Sequence, residues 1–513
     1  MWLASLVLVA ALTLISLLSD GGNSHAFRHY QSVRLNHSLP RRLHHIRHPG
    51  ESATQRTILT VEPTHLEKEF APGAVGLSIE AEELTTRDLN THQAPVALMR
   101  LLGPGVLRVG GNSVDHAWWT SDAERPPAWA TSVITPADLV SLRELLEATG
   151  WRTILGVNLG HFDPTRAANE ARIAHSILGG RLLGIEIGNE PNGYGIPSIG
   201  LRGPTYDITD YLNEVSAYSA AIHTVSRGIP LYGPEVGAPT SWLTTIGSAA
   251  QMPFAVLTAH YYPTSYSVPQ GLCKGTSLPT ALDLLAPRVR QEENVLVEML
   301  VSAGQHARRP TRITETNTTH SCDASGAPDT GPVFASALWS FDWILRAASA
   351  GVVGLNFHGS FGGCTSITYS PLCAPRDTNG VHVGAGLEYY GLYAARQLEG
   401  GRFVPVDISG QNATENLAAY ATVHPRGVIT LAIENFATKG LASCLLEVPS
   451  YDKATSESLV GSSASATSGV TFGHASFNTV GVLRSTSTKV SGLGDRFRLT
   501  LAPTSAIVIT LRR

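Results

Sequence analysis

The stretch LLGIEIGNEPNGYG, residues 182–195, is apolar and β-branched as far as Ile187 and then presents Asn189 and Glu190 ahead of a proline and two glycines. Its first half has the composition of a buried strand, and its second half that of a turn. A carboxylate with an amide beside it, delivered where a buried strand stops, points to the rim of a pocket. The fold then depends on how many other segments are built in the same way.

Seven are. Short β-branched runs recur at 73–80 (GAVGLSIE), 105–111 (GVLRVGG), 152–160 (RTILGVNLG), 229–236 (IPLYGPEV), 254–263 (FAVLTAHYYP), 309–316 (RPTRITET) and 352–359 (VVGLNFHG). Helical spacing fills the gaps, as in TPADLVSLRELLEATG (135–150) and VFASALWSFDWILRAASAG (333–351). Thr135 followed by Pro136 and Asp138 is a helix start, and Gly150 a stop. Each parallel crossover needs a helix, and eight strands close without edges, so the expected class is α/β, a (β/α)8 TIM barrel. A doubly wound open sheet is the alternative, but no glycine-rich dinucleotide fingerprint follows the first strand.

Beyond about residue 400 the helical period stops. RFVPVDI, LAAYATV, GVITLAIENF, ASCLLEVP, RFRLTLAP and SAIVITLRR are short strands between Gly, Ser, Thr and Asn turns, the pattern of a C-terminal antiparallel β-sandwich domain. The early run RTILTVEP is expected to join it. The chain thus divides into a signal peptide (1–23), a flexible basic arm (24–56), a strand joining the sandwich (57–70), the catalytic barrel (71–398) and the sandwich (399–513).

The chain has 513 residues, of which 43% are hydrophobic and 15% charged, with net charge −4; nothing there points to a nucleic-acid partner. The apolar run from Trp2 to Leu18, followed by small polar residues and glycines, reads as a secretory signal; without Lys or Arg ahead of it, a retained signal anchor is the alternative. No later segment is apolar enough to span a bilayer, so the mature protein is expected to be secreted. Sequons at Asn36, Asn317 and Asn412 fit that compartment, although a glycan on Asn317 would obstruct the pocket.

Polar residues gather at the C-terminal ends of the eight runs: Glu80, Asn112 and Asp115, Asn189 and Glu190, His260 with Tyr261 and Tyr262, Glu315, and Asn356 with His358. That end of a barrel is where active sites form. Strand alternation sets Glu190 on the face of Gly184, Glu186 and Gly188, and sets Glu315 with Thr311 and Ile313. Two facing carboxylates are what cleavage of a glycosidic bond requires, one as acid and one to meet the oxocarbenium-like carbon. Arg108, aimed into the barrel, has two expected partners, Glu315 and Glu186, and both contacts fit one network. There is no G-x-S-x-G elbow, no tight Cys/His spacing and no cofactor motif, so neither a metal nor a cofactor is expected.

GIEIGNEPN, ITETNTTHS, ALWSFDWILRAASAGVVGLNFHG, YYGLYAARQLEGG and LRVGGNSVDHAWW together resemble glycoside hydrolase family 79, which holds β-glucuronidases and heparanase-like enzymes with a (β/α)8 barrel and a β-sandwich. The resemblance implies a retaining mechanism with Glu190 as acid/base and Glu315 as nucleophile. It implies Asn189 on the sugar 2-hydroxyl, Glu80 on the distal hydroxyls, Tyr261 against the nucleophile and Tyr369 at a uronate carboxylate. Asn112 is grouped with these binding residues, and His260 with the supporting ones. In one loop the chain departs from the family: His320 and Cys322 stand about where the family has a Tyr and then glycines whose backbone N–H groups hold that carboxylate.

The implied partner is a glycan or glycoside ending in a β-linked uronic acid, cleaved from the end. A neutral β-glycoside, an internal glycosaminoglycan bond and an inactive carbohydrate-binding protein are the alternatives. Cys273, Cys322, Cys364 and Cys373 all fall on adjacent rim loops; Cys364–Cys373 with Cys273–Cys322 is the favoured one of three pairings. Cys444 is left over, expected buried in the sandwich.

Overall fold

A computed structural model describes residues 57–513 except 87–92, 238–240, 250–251, 267–278, 322–329, 362–368, 373–383, 412–414 and 479–480, and without the side chains of 93–94, 265–266 and 320–321. The signal peptide, the basic arm, the sequons at Asn36 and Asn412 and the four rim cysteines lie outside the described residues. Among the described residues no helix is long and apolar enough to cross a membrane.

Eight parallel strands close into a barrel: Val75–Glu80, Val106–Gly110, Arg152–Val157, Leu182–Ile187, Leu231–Val236, Phe254–Tyr261, Thr311–Thr316 and Leu355–Gly359. They are called strands one to eight below. A helix follows each: Gln93–Leu101, Pro136–Thr149, Pro164–Leu178, Ile208–Val225, Trp242–Gly247, Pro287–Ala307, Phe334–Ala350 and Leu387–Arg396. This is the expected (β/α)8 barrel, one strand for each run read in the sequence. The helix at 136–149 starts and stops where its signals stand: Asp138 accepts from the Thr135 backbone N–H at 2.8 Å, and Gly150 closes it at φ 80°.

Alternation sorts each strand's side chains. Leu77 and Ile79, Leu107 and Val109, Leu155 and Val157, and Ile185 and Ile187 join the core between strands and helices. Each such buried aliphatic contributes roughly 1.5–3 kcal/mol, which offsets the cost of ordering a polar interior. Inside the barrel, Val106, Ile154, Tyr232 and Val256 pack as an apolar floor. Above them Arg312 donates to Asn356 at 2.7 Å, and Asn356 donates to the Leu77 and Val106 carbonyls at 2.9 Å. Polar groups dominate from there to the mouth.

The helix Phe334–Ala350 is buried on every side from Phe334 to Ala348, as its apolar composition requires. Its Trp343 donates to Thr316 at 3.1 Å, gripping the end of strand seven. Helix Leu387–Arg396 packs so close to it that a methyl group on Gly391 would stand 2.1 Å from the Ala337 carbonyl oxygen.

Most of the remaining strands form two facing sheets. One has the order Val406–Ser409, Thr57–Val61, Ala442–Glu447, Arg496–Leu501, Gly492–Leu493. The other runs Arg402–Val404, Leu417–Val423, Ile429–Asn435, Ser505–Arg512, Lys453–Val460, Thr471–Phe472, with Thr488–Lys489 also paired to Lys453–Val460. Leu59, Leu431, Leu446, Phe497 and Ile509 fill the space between them, giving the expected sandwich. Its pairs are antiparallel save one: Thr57–Val61 runs parallel to Ala442–Glu447. Cys444 is buried in this core, and burial pushes its thiol up to about 12.

Candidate active site

Arg108, fully buried on strand two, organises the barrel mouth. Its Nε donates to Glu186 at 2.7 Å, Nη1 to Glu315 at 2.6 Å and Ser78 at 3.3 Å, and Nη2 to Asn189 at 2.9 Å and Glu235 at 3.4 Å. Both of its expected partners are therefore engaged at once. A planar guanidinium has five N–H donors in fixed directions, which is why one side chain can hold five residues on strands one, four, five and seven or their ends.

Glu190 lies three residues past strand four, held in the left-handed region at φ 48° ahead of Pro191. Its backbone N–H donates to the Glu235 carbonyl at 2.9 Å, and its Oε1 meets His260 Nδ1 at 3.1 Å. The other nitrogen of His260 meets Glu235 Oε2 at 2.9 Å. A carboxylate oxygen of Glu190, one of Glu315 and a ring nitrogen of His260 all lie within 4.8 Å of one another.

Glu315 reaches the mouth differently from the alternation read in the sequence. Thr314 donates to Glu235 at 2.8 Å and Arg312 to Asn356, so the inward parity of strand seven belongs to 312 and 314, while Ile313 packs outward in the helix core. A register shift after Ile313, on the sides of both neighbouring strands, turns Glu315 inward as well. Such a bulge re-aims one side chain, and it corrects the expected grouping of Glu315 with Thr311 and Ile313.

Tyr261 is a second correction. Its ring packs against Trp343 at 5.3 Å, on the helix side of strand six, while Tyr262 donates its hydroxyl to Glu315 Oε1 at 2.8 Å. Period two in 254–263 puts Tyr262, not Tyr261, on the face of His260, so the signal was present in the sequence. Tyr369 stands edge-on to Tyr262, ring centres 6.0 Å apart. The His320 backbone pairs with Ser265 in a short two-stranded ribbon; its side chain, like Cys322, is outside the described residues.

Glu80, ending strand one, accepts from the Asn112 and Ser113 backbone N–H groups at 3.2 and 2.8 Å and faces His358 Nε2 at 3.5 Å. Gly111 between them has φ 69°, and a methyl group there would meet the Glu80 carboxylate at 2.4 Å. Asn189 spends one N–H on Asn112 Oδ1 at 3.1 Å, leaving the amide's second hydrogen. Asp115 underpins this corner, accepting from Asn189 N at 3.2 Å, Leu159 N at 3.1 Å and Gly160 N at 2.8 Å. Asn317 is buried, its Nδ2 donating to the His358 carbonyl at 2.6 Å and to Glu388 at 3.1 Å, contacts that a glycan would have to displace.

Charge follows from this crowding. Burial drives Glu315 up, but the charges of His358, His260 and Arg108 and the Tyr262 hydrogen bond outweigh it and hold the carboxyl well below its usual range. Burial opposes protonation of His260, yet Glu315, Glu190 and Glu235 raise it to about 10, so the ring is a cation at neutral pH. His358 is raised by Glu315 and Glu80 against the same burial. Although Glu190, His260 and Glu315 have the residue types of a cation site, an imidazolium and a guanidinium already neutralise it, so the set does not suit a divalent metal.

Sequence reasoning passed over Glu235, whose position ending strand five, after Pro234, is the same kind of signal as that of Glu190 and Glu315.

The fold is that of barrel glycoside hydrolases carrying a β-sandwich. A 4-O-α-L-rhamnosyl-β-D-glucuronidase from Fusarium oxysporum 12S superposes with a TM-score of 0.71 at 18% identity, covering 88% of this chain and 98% of that one. A family 51 arabinofuranosidase from Xanthomonas axonopodis pv. citri gives 0.65 at 14%, covering 89% and 99%. In sequence, the chain is similar to a β-glucuronidase of Neurospora crassa, 22% identical over 380 residues, and to one of Aspergillus niger, 26% identical over 356. The matches cover 64% of this chain and 64% and 63% of those proteins, so the chain spans just under two thirds of the relatives' length. No family model matches. The likenesses to β-glucuronidases agree with the resemblance to glycoside hydrolase family 79 drawn from the motifs.

Proposed function

We propose that the chain is a secreted, retaining, exo-acting β-glucuronidase. The observation that carries the reading is the approach of Glu190 and Glu315 to within 4.8 Å, close to the roughly 5–5.5 Å that leaves no room for a water between carboxylate and sugar. In this reading Glu315, kept ionised by the cations around it, attacks the anomeric carbon while Glu190 gives its proton to the departing oxygen. Water then attacks the anomeric carbon from the face that the aglycone vacated, opposite Glu315, while Glu190 takes a proton from it and the Glu315 carboxylate is released. His260 orients Glu190 through Oε1, Tyr262 and Arg108 orient Glu315, and Asn189 uses its remaining N–H on the sugar 2-hydroxyl, a contact that strengthens as positive charge develops. Glu80 receives the distal hydroxyls, and Asn112, Tyr369 and His320 complete the binding wall. A terminal β-linked uronic acid is the substrate that the similar fungal proteins' names suggest.

One observation favours a neutral β-glycoside as second reading. Among the described residues of the pocket, Arg108, His260 and His358 are each already engaged by carboxylates, so the charge that would select a uronate is not supplied by these three. A panel of aryl β-glycosides decides. Aglycone release from the glucuronide but not the glucoside supports the first reading, the reverse installs the second, and no release from any leaves a carbohydrate-binding protein.

A further inference from the structure

The loops after strands two and three carry a second cluster, apart from the carboxylates. Trp118, Trp129, His161 and Phe162 line a cavity of about 330 Å³. Trp129 lies flat on His161 with ring centres 3.6 Å apart and stands edge-on to Trp118 at 5.7 Å. Arg166 covers Trp118 at 3.5 Å and is itself paired with Asp163 at 3.2 Å and Glu124 at 2.9 Å. Glu170, from the helix Pro164–Leu178, lines the same cavity; it is only 4% exposed, and its carboxyl makes no hydrogen bond among the described residues.

A buried carboxyl without a partner is unusual, because desolvation is normally repaid by a hydrogen bond. Burial pushes Glu170 up to about 8, against the weaker pull of Arg166, so it is protonated at neutral pH and offers both a donor and an acceptor. With Arg166 neutralised by its own pairs, the cavity shows aromatic faces and an uncharged polar group but no free charge. That combination matches a ring with apolar C–H faces and hydroxyl edges, since the negative face of an aromatic ring attracts C–H groups.

We propose that this cavity binds a neutral pyranose ring, stacked on the Trp118–Trp129 wall with a hydroxyl on the Glu170 carboxyl. It opens on the same rim as the carboxylate pair: Asn158 of the cavity leads to the Leu159 and Gly160 N–H groups, which Asp115 holds together with the Asn189 N–H. The ring is therefore either a further unit of the glycan being cleaved or part of a separate saccharide. Only the first of these sources rests on the proposed activity.

The test uses the full chain carrying Glu315→Gln, followed by tryptophan fluorescence. Methyl β-pyranosides of neutral sugars are expected to give a saturable change. Adding Glu170→Leu should weaken that binding about tenfold or more, the worth of one good hydrogen bond, while leaving the melting temperature unchanged or higher because an unpaired buried polar group is gone. Trp118→Ala is the second variant should the first fail to fold, with the same loss expected. No saturable change with any neutral pyranoside, or full affinity retained in these variants, overturns the proposal. Free glucuronic acid, titrated separately, reports the carboxylate pocket: its failure to bind would count against the proposed activity and leave this cavity's ligand untouched. A glucuronate-ended disaccharide binding more tightly than either monosaccharide assigns the ring to the same glycan; independent affinities assign it to a separate one.

Discussion

Glu315 and Glu190 are chemically alike and differ only in their neighbours. Glu315 accepts from Arg108 and Tyr262, whereas among the described residues the Glu190 carboxylate meets only His260 within hydrogen-bonding reach. From the proposed roles, Glu315→Ala should lower kcat by roughly 10⁴-fold, with azide restoring part of it and giving a product of inverted configuration. Glu190→Ala should slow substrates with poor leaving groups by about 10²–10⁴-fold and spare activated aryl glycosides; equal losses on both would remove it from the acid role. The two adjacent tyrosines allow a sharper comparison. Removing a hydrogen bond to a charged group costs about 1.5–3 kcal/mol, so Tyr262→Phe should reduce kcat/KM by about 10–150-fold. Tyr261→Phe, whose ring faces Trp343, should leave it within about twofold, the usual scatter of a change that touches no reacting group. Similar losses in both variants would contradict the assignment of Tyr262 to the nucleophile.

At the level of the element, the site depends on how strand ends are shaped. The register shift in strand seven brings Glu315 inward, the left-handed turn after strand four presents Glu190, and the turn after strand two cradles Glu80 with two N–H groups. Gly111 is the point where that third device is most exposed to test. Its backbone, at φ 69° and ψ −173°, lies in a region open essentially to glycine alone. Gly111→Ala is expected to cost roughly 1–3 kcal/mol of stability. By crowding the Glu80 carboxylate it should also raise KM for the preferred aryl glycoside more than it lowers kcat. An unchanged KM in a folded variant would remove Glu80 from substrate binding. The ALWSFDW stretch acts at the same scale, since Trp343 fixes Thr316 beside the nucleophile candidate from a helix buried on all sides.

For the whole molecule, the buried titratable groups set the direction of its pH dependence. Burial raises Glu170 to about 8 and Glu83, Glu293 and Glu399 to about 7, and surrounding carboxylates raise His260 to about 10. Each of these groups binds its proton more tightly folded than unfolded. Their contribution is complete below the unfolded values, near 4.5 for the carboxyls and 6.5 for the histidine, and is lost as pH rises through the folded values. Glu315, Glu80 and Glu235 are depressed, and their contribution is lost as pH falls below about 4.5. The melting temperature is therefore expected to peak near about pH 5–6 and to decline steadily to pH 10. His260→Gln should flatten the part of that decline above about pH 6.5. A melting temperature that is constant or rising from pH 6 to 9 would contradict this balance.

What the linear chain determined is whatever depends on local period and composition. Eight β-branched runs spaced by helical segments leave a closed barrel as the arrangement that buries every strand, and each run shows where its polar end lies. The loss of helical period after residue 400 marks the sandwich in the same way. Those rules also place Glu190 and Glu315 at one rim, because a residue's distance along a strand is a property of the strand alone. What they do not carry is the direction of a side chain once the ladder slips. The inward turn of Glu315 depends on hydrogen bonds to strands six and eight, and Arg108 on strand two meets Glu186, Asn189, Glu235 and Glu315 only because closure brings strands four, five and seven around one guanidinium. The aromatic cavity is likewise assembled from two loops and a helix that no local pattern relates. Period is written in neighbours along the chain, whereas register and convergence are decided by neighbours in space.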